Sequence, residues 1–327
     1  MLSRFIPKMH KLFNGAFIVL SLGLAVAALA YALPQPWWLE LFTHFIMQYA
    51  VGAVVFLLYY LLKKKRAQAL LSATYLVGTL LVLAPYLHGQ SPDSNTTLST
   101  QKVTAIFSNT HYSSVSVLDL AELIQQQQPE FVFLAELGAG QFAELRELVP
   151  EYSGLLTEGG RDPWAHPVSY LAPTSVGEIG KTVLYFDTLS PAIEVVAPKY
   201  PDLRLLAVHI FPPRSARTVG LRDTALKNIA QHASKQENLV VLGDLNITNF
   251  SPPFARMLRE GGLSDVRVGR GVLSSWPTVL PTLFGIPIDH ALAKGAWQIC
   301  EFERGPNIGS DHFPLIVTLC YNTIEEM

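Results

Sequence analysis

The chain has 327 residues, half of them hydrophobic and only 15% charged, with 24 Lys+Arg against 26 Asp+Glu. That length holds a membrane segment plus one large water-soluble domain, and the low charge share excludes a uniformly soluble protein. The charge is uneven: residues 1–88 carry seven basic residues and one acid, Glu40, which leaves 17 Lys+Arg against 25 Asp+Glu in residues 89–327, a net of −8 there. An acidic domain of this kind counts against tight binding to long nucleic acid, which is usually met by a basic surface.

Three uncharged stretches open the chain, residues 12–39, 41–62 and 67–87. Each reaches the roughly 20 apolar residues that cross a hydrocarbon core, so three transmembrane helices are expected. Pro34 and Pro36 separate the first from the second. His44 and Gln48 in the second stretch are read as interhelical hydrogen-bonding groups. Arg4, Lys8 and Lys11 precede the first stretch, and Lys63, Lys64, Lys65 and Arg66 separate the second from the third. The intervening connection carries Trp37 and Trp38 and no basic residue. Basic flanks stay cytoplasmic and tryptophans favour the interface, so the third span should end outside, with the following domain extracytoplasmic on a bacterial inner membrane.

The sequence divides accordingly into a membrane domain (1–88), a polar Ser/Thr-rich linker, GQSPDSNTTLSTQ (89–101), and a catalytic domain (102–327). In the last, strands are expected over residues 103–108, 131–135, 181–186, 203–209, 239–242, 291–302 and 315–321. Helices are expected over 115–127, 141–148, 221–234 and 254–260. Interleaved strands and helices without a Gly-rich nucleotide loop indicate an α/β sandwich of two or four layers. Cys300 and Cys320, the only cysteines, fall in strand-like segments. Two buried thiols are the favoured reading, and a disulfide is the alternative if those strands are neighbours in an oxidising compartment.

Polar groups collect where strands end, the place α/β folds reserve for sites. Asn109 follows the first strand, Glu136 ends PEFVFLAEL, His209 ends LRLLAVHI, and Asp244 and Asn246 follow the apolar run in VVLGDLN. Asp289 and His290 stand in GIPIDHAL, and Asp311 and His312 in GSDHFP. Each alone has a plain structural use as a cap, a turn or an ion pair. The ordered set does not.

VVLGDLN, IDH and SDHFP, with PEFVFLAE and AVHIFPP in order before them, resemble the endonuclease/exonuclease/phosphatase superfamily. The closest likeness is to a bacterial branch with N-terminal membrane spans. The resemblance covers residues 101–321 and implies a four-layered α/β sandwich of the DNase I-like kind, with hydrolysis of a phosphoester. It also implies Mg²⁺, with Mn²⁺ as a substitute, held by Glu136, Asn109 and Asp311, hard oxygen ligands that suit this ion. Asp244 would deprotonate the attacking water, and Asn246 would hold that water or the phosphate. His209 and His312 would serve the phosphoryl oxygens, with Asp289 fixing the tautomer of His312. His290 has no chemical role in this scheme.

The likeness is poorest at RDPWAHPVSYLAPTS, where relatives supply a group near the leaving oxygen; His166, Tyr170 and Arg161 are the substitutes. Arg214 and Arg217, with Arg222 beyond them, are the expected substrate contacts. The substrate is a phosphoester of a lipid head group or of nucleic acid, membrane attachment favouring the former. A catalytically inactive binding module is the remaining alternative. No protein partner is implied beyond the lipid bilayer.

Overall fold

A computed structural model of the chain describes residues 2–33, 36–88, 101–159, 166–200 and 202–321. Arg161 and all of the expected linker but Gln101 lie outside these residues. The chain forms two compact units, one of Met1–Pro85 with Phe250–Pro252 and one of Tyr86–Asn249 with Pro253–Met327.

In the first unit, helix α1 (Leu2–Ala32) is followed by a 3₁₀ segment (Trp37–Phe45), α2 (Ile46–Leu62) and α3 (Arg66–His88). The stretches His10–Ala32, Trp37–Leu62 and Arg66–His88 are long and apolar enough to cross a membrane. The first ends at Ala32 rather than running on to residue 39. Pro34 and Pro36 explain the stop, since proline lacks an N–H and disfavours helical backbone in the residue before it. Phe17, Phe56, Tyr60 and Ala69 are buried together, and Tyr60 Oη donates to Asn14 Oδ1 at 3.1 Å. His44 Nε2 lies 3.4 Å from Glu40 Oε1, a partner one turn back on its own segment.

The second unit contains β1 (Lys102–Asn109), α4 (Val117–Gln127), β2 (Phe131–Ala135), α5 (Ala139–Leu148), β3 (Tyr152–Leu156) and β4 (Val168–Pro173). Then come β5 (Gly180–Tyr185), β6 (Pro191–Val196), β7 (Arg204–His209), α6 (Ala216–Ser234), β8 (Leu239–Asp244) and α7 (Pro252–Gly261). The chain finishes with β9 (Ser264–Asp265), β10 (Asp289–Lys294), β11 (Trp297–Arg304) and β12 (Leu315–Tyr321). The strands make two six-stranded sheets, β11-β12-β1-β2-β4-β3 and β5-β6-β7-β8-β10-β9.

Strand periodicity builds the layers. Val103, Ala105 and Phe107 of β1 point into a core shared with Leu205, Ala207, Val240 and Leu242 of the other sheet. Ile106, one residue out of step, packs with Leu120 and Ile124 of α4. Leu206, Val208 and Val241 likewise face Leu226 and Ile229 of α6 and Phe254 of α7. The result is helix, sheet, sheet, helix: the four-layered DNase I-like sandwich that the resemblance implied.

Each sheet is centred on one parallel pair, β1–β2 and β7–β8, joined by α4 and α6 respectively. Every other pairing is antiparallel. The C-terminal ends of both parallel pairs thus become the place where polar residues can meet.

Some elements differ from expectation. The stretch 291–302 is a hairpin, β10 and β11 turning at Gly295. That glycine has φ of 89°, and a Cβ there would come within 2.1 Å of Asn238 Oδ1, so only glycine fits. Helix α6 starts five residues early, because Ser215 Oγ accepts from Thr218 N while Thr218 Oγ1 accepts from Ser215 N. Strands β3, β4 and β6 were not expected; Gly154, Pro173 and Pro191 interrupt their patterns, and Pro191 is tolerated as the first residue of its strand.

Cys300 and Cys320 form a disulfide, in place of the two thiols favoured from sequence. Antiparallel pairing sets Gln298 opposite Cys320, so Cys300, two residues on and beside a register shift, lies next to its partner, and only the pairing of β11 with β12 decides this. The bond closes a separation of 20 residues. A Cys300→Ser/Cys320→Ser double variant is expected to lose about 3 kcal/mol of stability, read as a lowered thermal midpoint in detergent.

Candidate active site

Register brings the site together. His209 stands level with Asp244 at the ends of β7 and β8, and Asp244 pairs with Asp289, the first residue of β10. In the other sheet Asn109 ends β1 level with Ala135, so Glu136 emerges one residue beyond. Phe107 pairs with Leu315, which sets Asp311 and His312 just past the end of β1.

The side chains close into a network. Asn109 Nδ2 donates to Glu136 Oε1 at 3.1 Å and to Asp244 Oδ2 at 3.0 Å, bridging the two sheets. His209 Nε2 lies 3.3 Å from Glu136 Oε1 and 3.8 Å from Asp244 Oδ2. His312 Nε2 stands 3.8 Å from that same Asp244 oxygen, while its Nδ1 meets Asp289 Oδ2 at 2.8 Å. Ser275 Oγ accepts from Asp289 N, and Ser310 Oγ accepts from His312 N while donating to Asn109 O.

The backbone is held in uncommon conformations here. Glu136, Asn246, His111 and Tyr112 all have positive φ, of 62°, 49°, 46° and 52°. Residues other than glycine adopt this region only where surrounding bonds enforce it. Glu136 N donates to Pro167 O and Glu136 O accepts from Tyr112 N, which supplies that enforcement.

Burial and neighbouring charge set the protonation states. Burial raises the pKa of Asp244, and the adjacent Asp289 charge adds to it, bringing it to about 8. Burial also raises Glu136, only partly offset by Asn109. Burial opposes the imidazolium of His312, but the Asp289 carboxylate outweighs it and holds the pKa up at about 10. His209, buried and facing that cation, is pushed down to about 4. Near neutral pH the metal-free site thus pairs a cationic histidine with a neutral one across Asp244, which still holds its proton and becomes a base on losing it as pH approaches 8.

Two sets of residues offer metal ligands. Asp244, Asp289 and His312 present ligand atoms within 4.8 Å of one another. Their use is opposed by the Asp289–His312 hydrogen bond, since a ligating imidazole must be neutral and this one is held protonated. Glu136 and Asp311 fit better. Asp311 Oδ1 is buried without a hydrogen-bond donor, with His111 Nδ1 at 3.2 Å and His312 Nε2 at 3.9 Å, and its charge is felt at Glu136. Hard carboxylate oxygens so arranged suit Mg²⁺ or Mn²⁺. Asn109 turns its amide nitrogen, not its oxygen, towards the carboxylates; Oδ1 accepts from His111 N.

The other expected residues divide. Asn246 donates its side-chain N–H to Ile210 O and its backbone N–H to Asp244 Oδ1, so it shapes the turn around Asp244. His290 is buried, with Nε2 on Ile247 O at 2.7 Å. Arg214 and Arg217 are exposed near the start of α6. Arg222 is not a surface contact: it is fully buried on the inward face of α6 and bonds Asp223. Tyr170 lies in the core between the sheets, whereas His166 reaches the site edge, its ring stacked 5.8 Å from that of His209.

Sequence reasoning missed His111, Tyr112 and Trp276. Tyr112 Oη lies 2.7 Å from His166 Nε2, and Trp276 Nε1 donates to Asp311 Oδ2 at 2.9 Å. No motif links residues 54 and 35 positions apart.

Residues 107–312 match the model of the endonuclease/exonuclease/phosphatase family. The chain belongs to that family. The match spans more than half of it and includes every residue of the network above. No curated protein matches by sequence. Among solved structures, an endonuclease/exonuclease/phosphatase from Beutenbergia cavernae is 18% identical with a TM-score of 0.53, covering 68% of this chain and 72% of that one. A mannosyl-6-phosphatase from Bacteroides thetaiotaomicron is 13% identical (TM-score 0.50, covering 66% and 99%). A 3′ phosphatase from Neisseria, solved with product DNA hairpin, is 14% identical (TM-score 0.52, covering 66% and 98%). At these identities the likeness establishes the endonuclease/exonuclease/phosphatase fold and leaves the substrate open.

Proposed function

We propose that this chain is a membrane-anchored, divalent-metal-dependent phosphodiesterase acting on head groups at a bilayer surface. The observation that carries the chemistry is the closed network in which Asn109 joins Glu136 to Asp244, and Asp244 faces both His209 and His312. Such an array suits in-line attack of water on phosphorus, where one group must accept a proton and others must meet growing negative charge.

Asp244, once ionised, takes the proton of the attacking water; the positive charge of a divalent ion nearby would favour that ionised form. The His312 imidazolium, kept charged and oriented by Asp289, faces a non-bridging phosphoryl oxygen, and neutral His209 donates to another. Glu136 and Asp311, with Asn109 if its amide turns over, would hold Mg²⁺ or Mn²⁺. A bound ion supplies Lewis acidity to the phosphoryl group.

The Tyr112–His166 pair serves the leaving oxygen. It stands at the site edge, joined by a 2.7 Å hydrogen bond. Proton donation matters only when the leaving group is a poor one. Tyr112→Phe and His166→Ala are each expected to slow hydrolysis of an alkyl phosphodiester about 10²-fold, with a much smaller effect on a p-nitrophenyl ester. Equal losses on both substrates would remove the pair from this role.

The three apolar helices support membrane anchoring, and the basic residues flanking them support an extracytoplasmic catalytic domain. The Cys300–Cys320 disulfide agrees with an oxidising compartment. The net charge of −8 over residues 89–327 favours a head group over long DNA. A nuclease is the second reading, favoured by exposed Arg214 and Arg217 and by the Neisseria phosphatase seen with DNA. The deciding assay presents the full chain, reconstituted in vesicles with Mg²⁺, with phospholipid and with plasmid DNA, beside an EDTA control. Metal-dependent head-group release with intact DNA supports the proposal; metal-dependent DNA cleavage with intact lipid replaces it by the nuclease.

A further inference from the structure

Residues 273–288, LSSWPTVLPTLFGIPI, make up most of the connection between β9 and β10 and contain no charged residue. Water-facing loops of that length ordinarily carry polar tips, yet here the tip is apolar. Val279 is 82% exposed and Phe284 50%, with Leu280, Leu283 and Trp276 exposed beside them. A contiguous apolar surface of this kind on a folded domain marks a place that meets another apolar phase.

The loop is firmly built. Trp276 and Ile286 exchange backbone hydrogen bonds, Leu280 N donates to Pro277 O, and Phe284 N donates to Pro281 O. Ser274 Oγ donates to Thr282 O, and Arg304 Nη1 reaches Ser274 O and Thr282 Oγ1 at the base. Backbone groups bonded within the loop need no water, which lowers the penalty for leaving it.

The loop also borders the catalytic centre. Thr278 N donates to Asp311 O, Thr278 Oγ1 donates to Ser310 O, and Trp276 Nε1 donates to Asp311 Oδ2. Whatever the tip enters is therefore set beside Asp311.

From this loop we infer that residues 276–284 dip into the lipid surface and hold the catalytic centre at head-group level. The inference rests on the membrane reading above. The occupant is a bilayer because the same chain carries three helices able to span one. The 13 residues between His88 and Lys102 also reach at most about 45 Å, which confines the domain near that surface. The composition fits an interface as well: a Trp at the base, with Val, Leu and Phe at the tip.

The test uses the full chain in vesicles of phosphatidylcholine and phosphatidylglycerol doped with nitroxide-labelled phosphatidylcholine. Val279→Cys carries an environment-sensitive fluorophore, and the native cysteines do not compete because they are disulfide-bonded. Glu237→Cys, exposed in the turn before β8 at the other end of the sheets, is the control site. Quenching at 279 about threefold or more above that at 237 is expected for a tip in the acyl boundary. Val279→Asp should then lower the ratio of vesicle-lipid to soluble-diester hydrolysis about tenfold. A chain that floats with the vesicles but shows equal, weak quenching at both sites overturns the loop inference alone. A label shielded without quenching, together with a doubled mass, overturns it in favour of a second copy. A chain that does not float with vesicles overturns the membrane reading and the loop inference together. Quenching without hydrolysis supports the loop inference and counts only against the proposed activity.

Discussion

Asp244→Asn is expected to reduce kcat about 10³-fold or more, the largest single loss in the site, while the circular dichroism spectrum stays unchanged. The substitution keeps the shape but removes a carboxylate oxygen that stands 3.8 Å from both His209 Nε2 and His312 Nε2. The same variant has a signature in stability. Asp244 is raised from 3.8 to about 8, so between those values the folded chain holds a proton that the unfolded chain has released. That contribution is present below about pH 4 and is lost as pH rises through 8. His312, raised from 6.5 to about 10, acts in the same sense at higher pH. His209 and His166, both pushed down from 6.5 to about 4, act in the opposite sense only below about pH 6.5. The thermal midpoint of the metal-free chain should therefore fall between about pH 6.5 and about pH 8.5, and Asp244→Asn should flatten that fall. A steep, unchanged fall in the variant would place the titration elsewhere.

Glu136→Gln is expected to lower activity about 10³-fold at limiting Mg²⁺ and to weaken the apparent metal affinity more than tenfold. A readout free of turnover is available. Divalent ion bound only by the folded state raises the thermal midpoint, and EDTA reverses the rise. Wild type should show that rise with Mg²⁺ or Mn²⁺, and Glu136→Gln should lose most of it. Burial raises the Glu136 pKa, so its charge is unfavourable in the metal-free fold. The Glu136→Gln variant should accordingly be as stable as wild type or more so without metal at about pH 7, the usual exchange of stability for function at a built site. A full metal-induced rise in that variant would move the ion to the Asp244–Asp289–His312 group instead.

Much of the framework was legible beforehand. Apolar runs with period two placed β1, β2, β7, β8 and β12, because residues buried on one or both sheet faces leave that pattern in sequence. The polar residues closing those runs were legible for the same reason: a strand's apolar stretch must stop where it reaches solvent or a site. Strand β4 was missed because its stretch, HPVSYLAP, is bounded by prolines and reads as broken. The disulfide was misjudged because it depends on the pairing of β11 with β12, which local pattern does not carry.

What the sequence by itself determined was which residues are chemically equipped and which segments end at them: Asn109, Glu136, His209, Asp244, Asp289, Asp311 and His312. Only the tertiary structure decided their company. Pairing of β10 with β8 and of β12 with β1 brings residues 23 to 135 positions apart within hydrogen-bond reach. It also withdrew Arg222 and Tyr170 into the core and brought His166 and Tyr112 to the edge of the site. Side-chain chemistry is a local property of the chain, whereas distance and dielectric are set by which strands pair and which layer covers them.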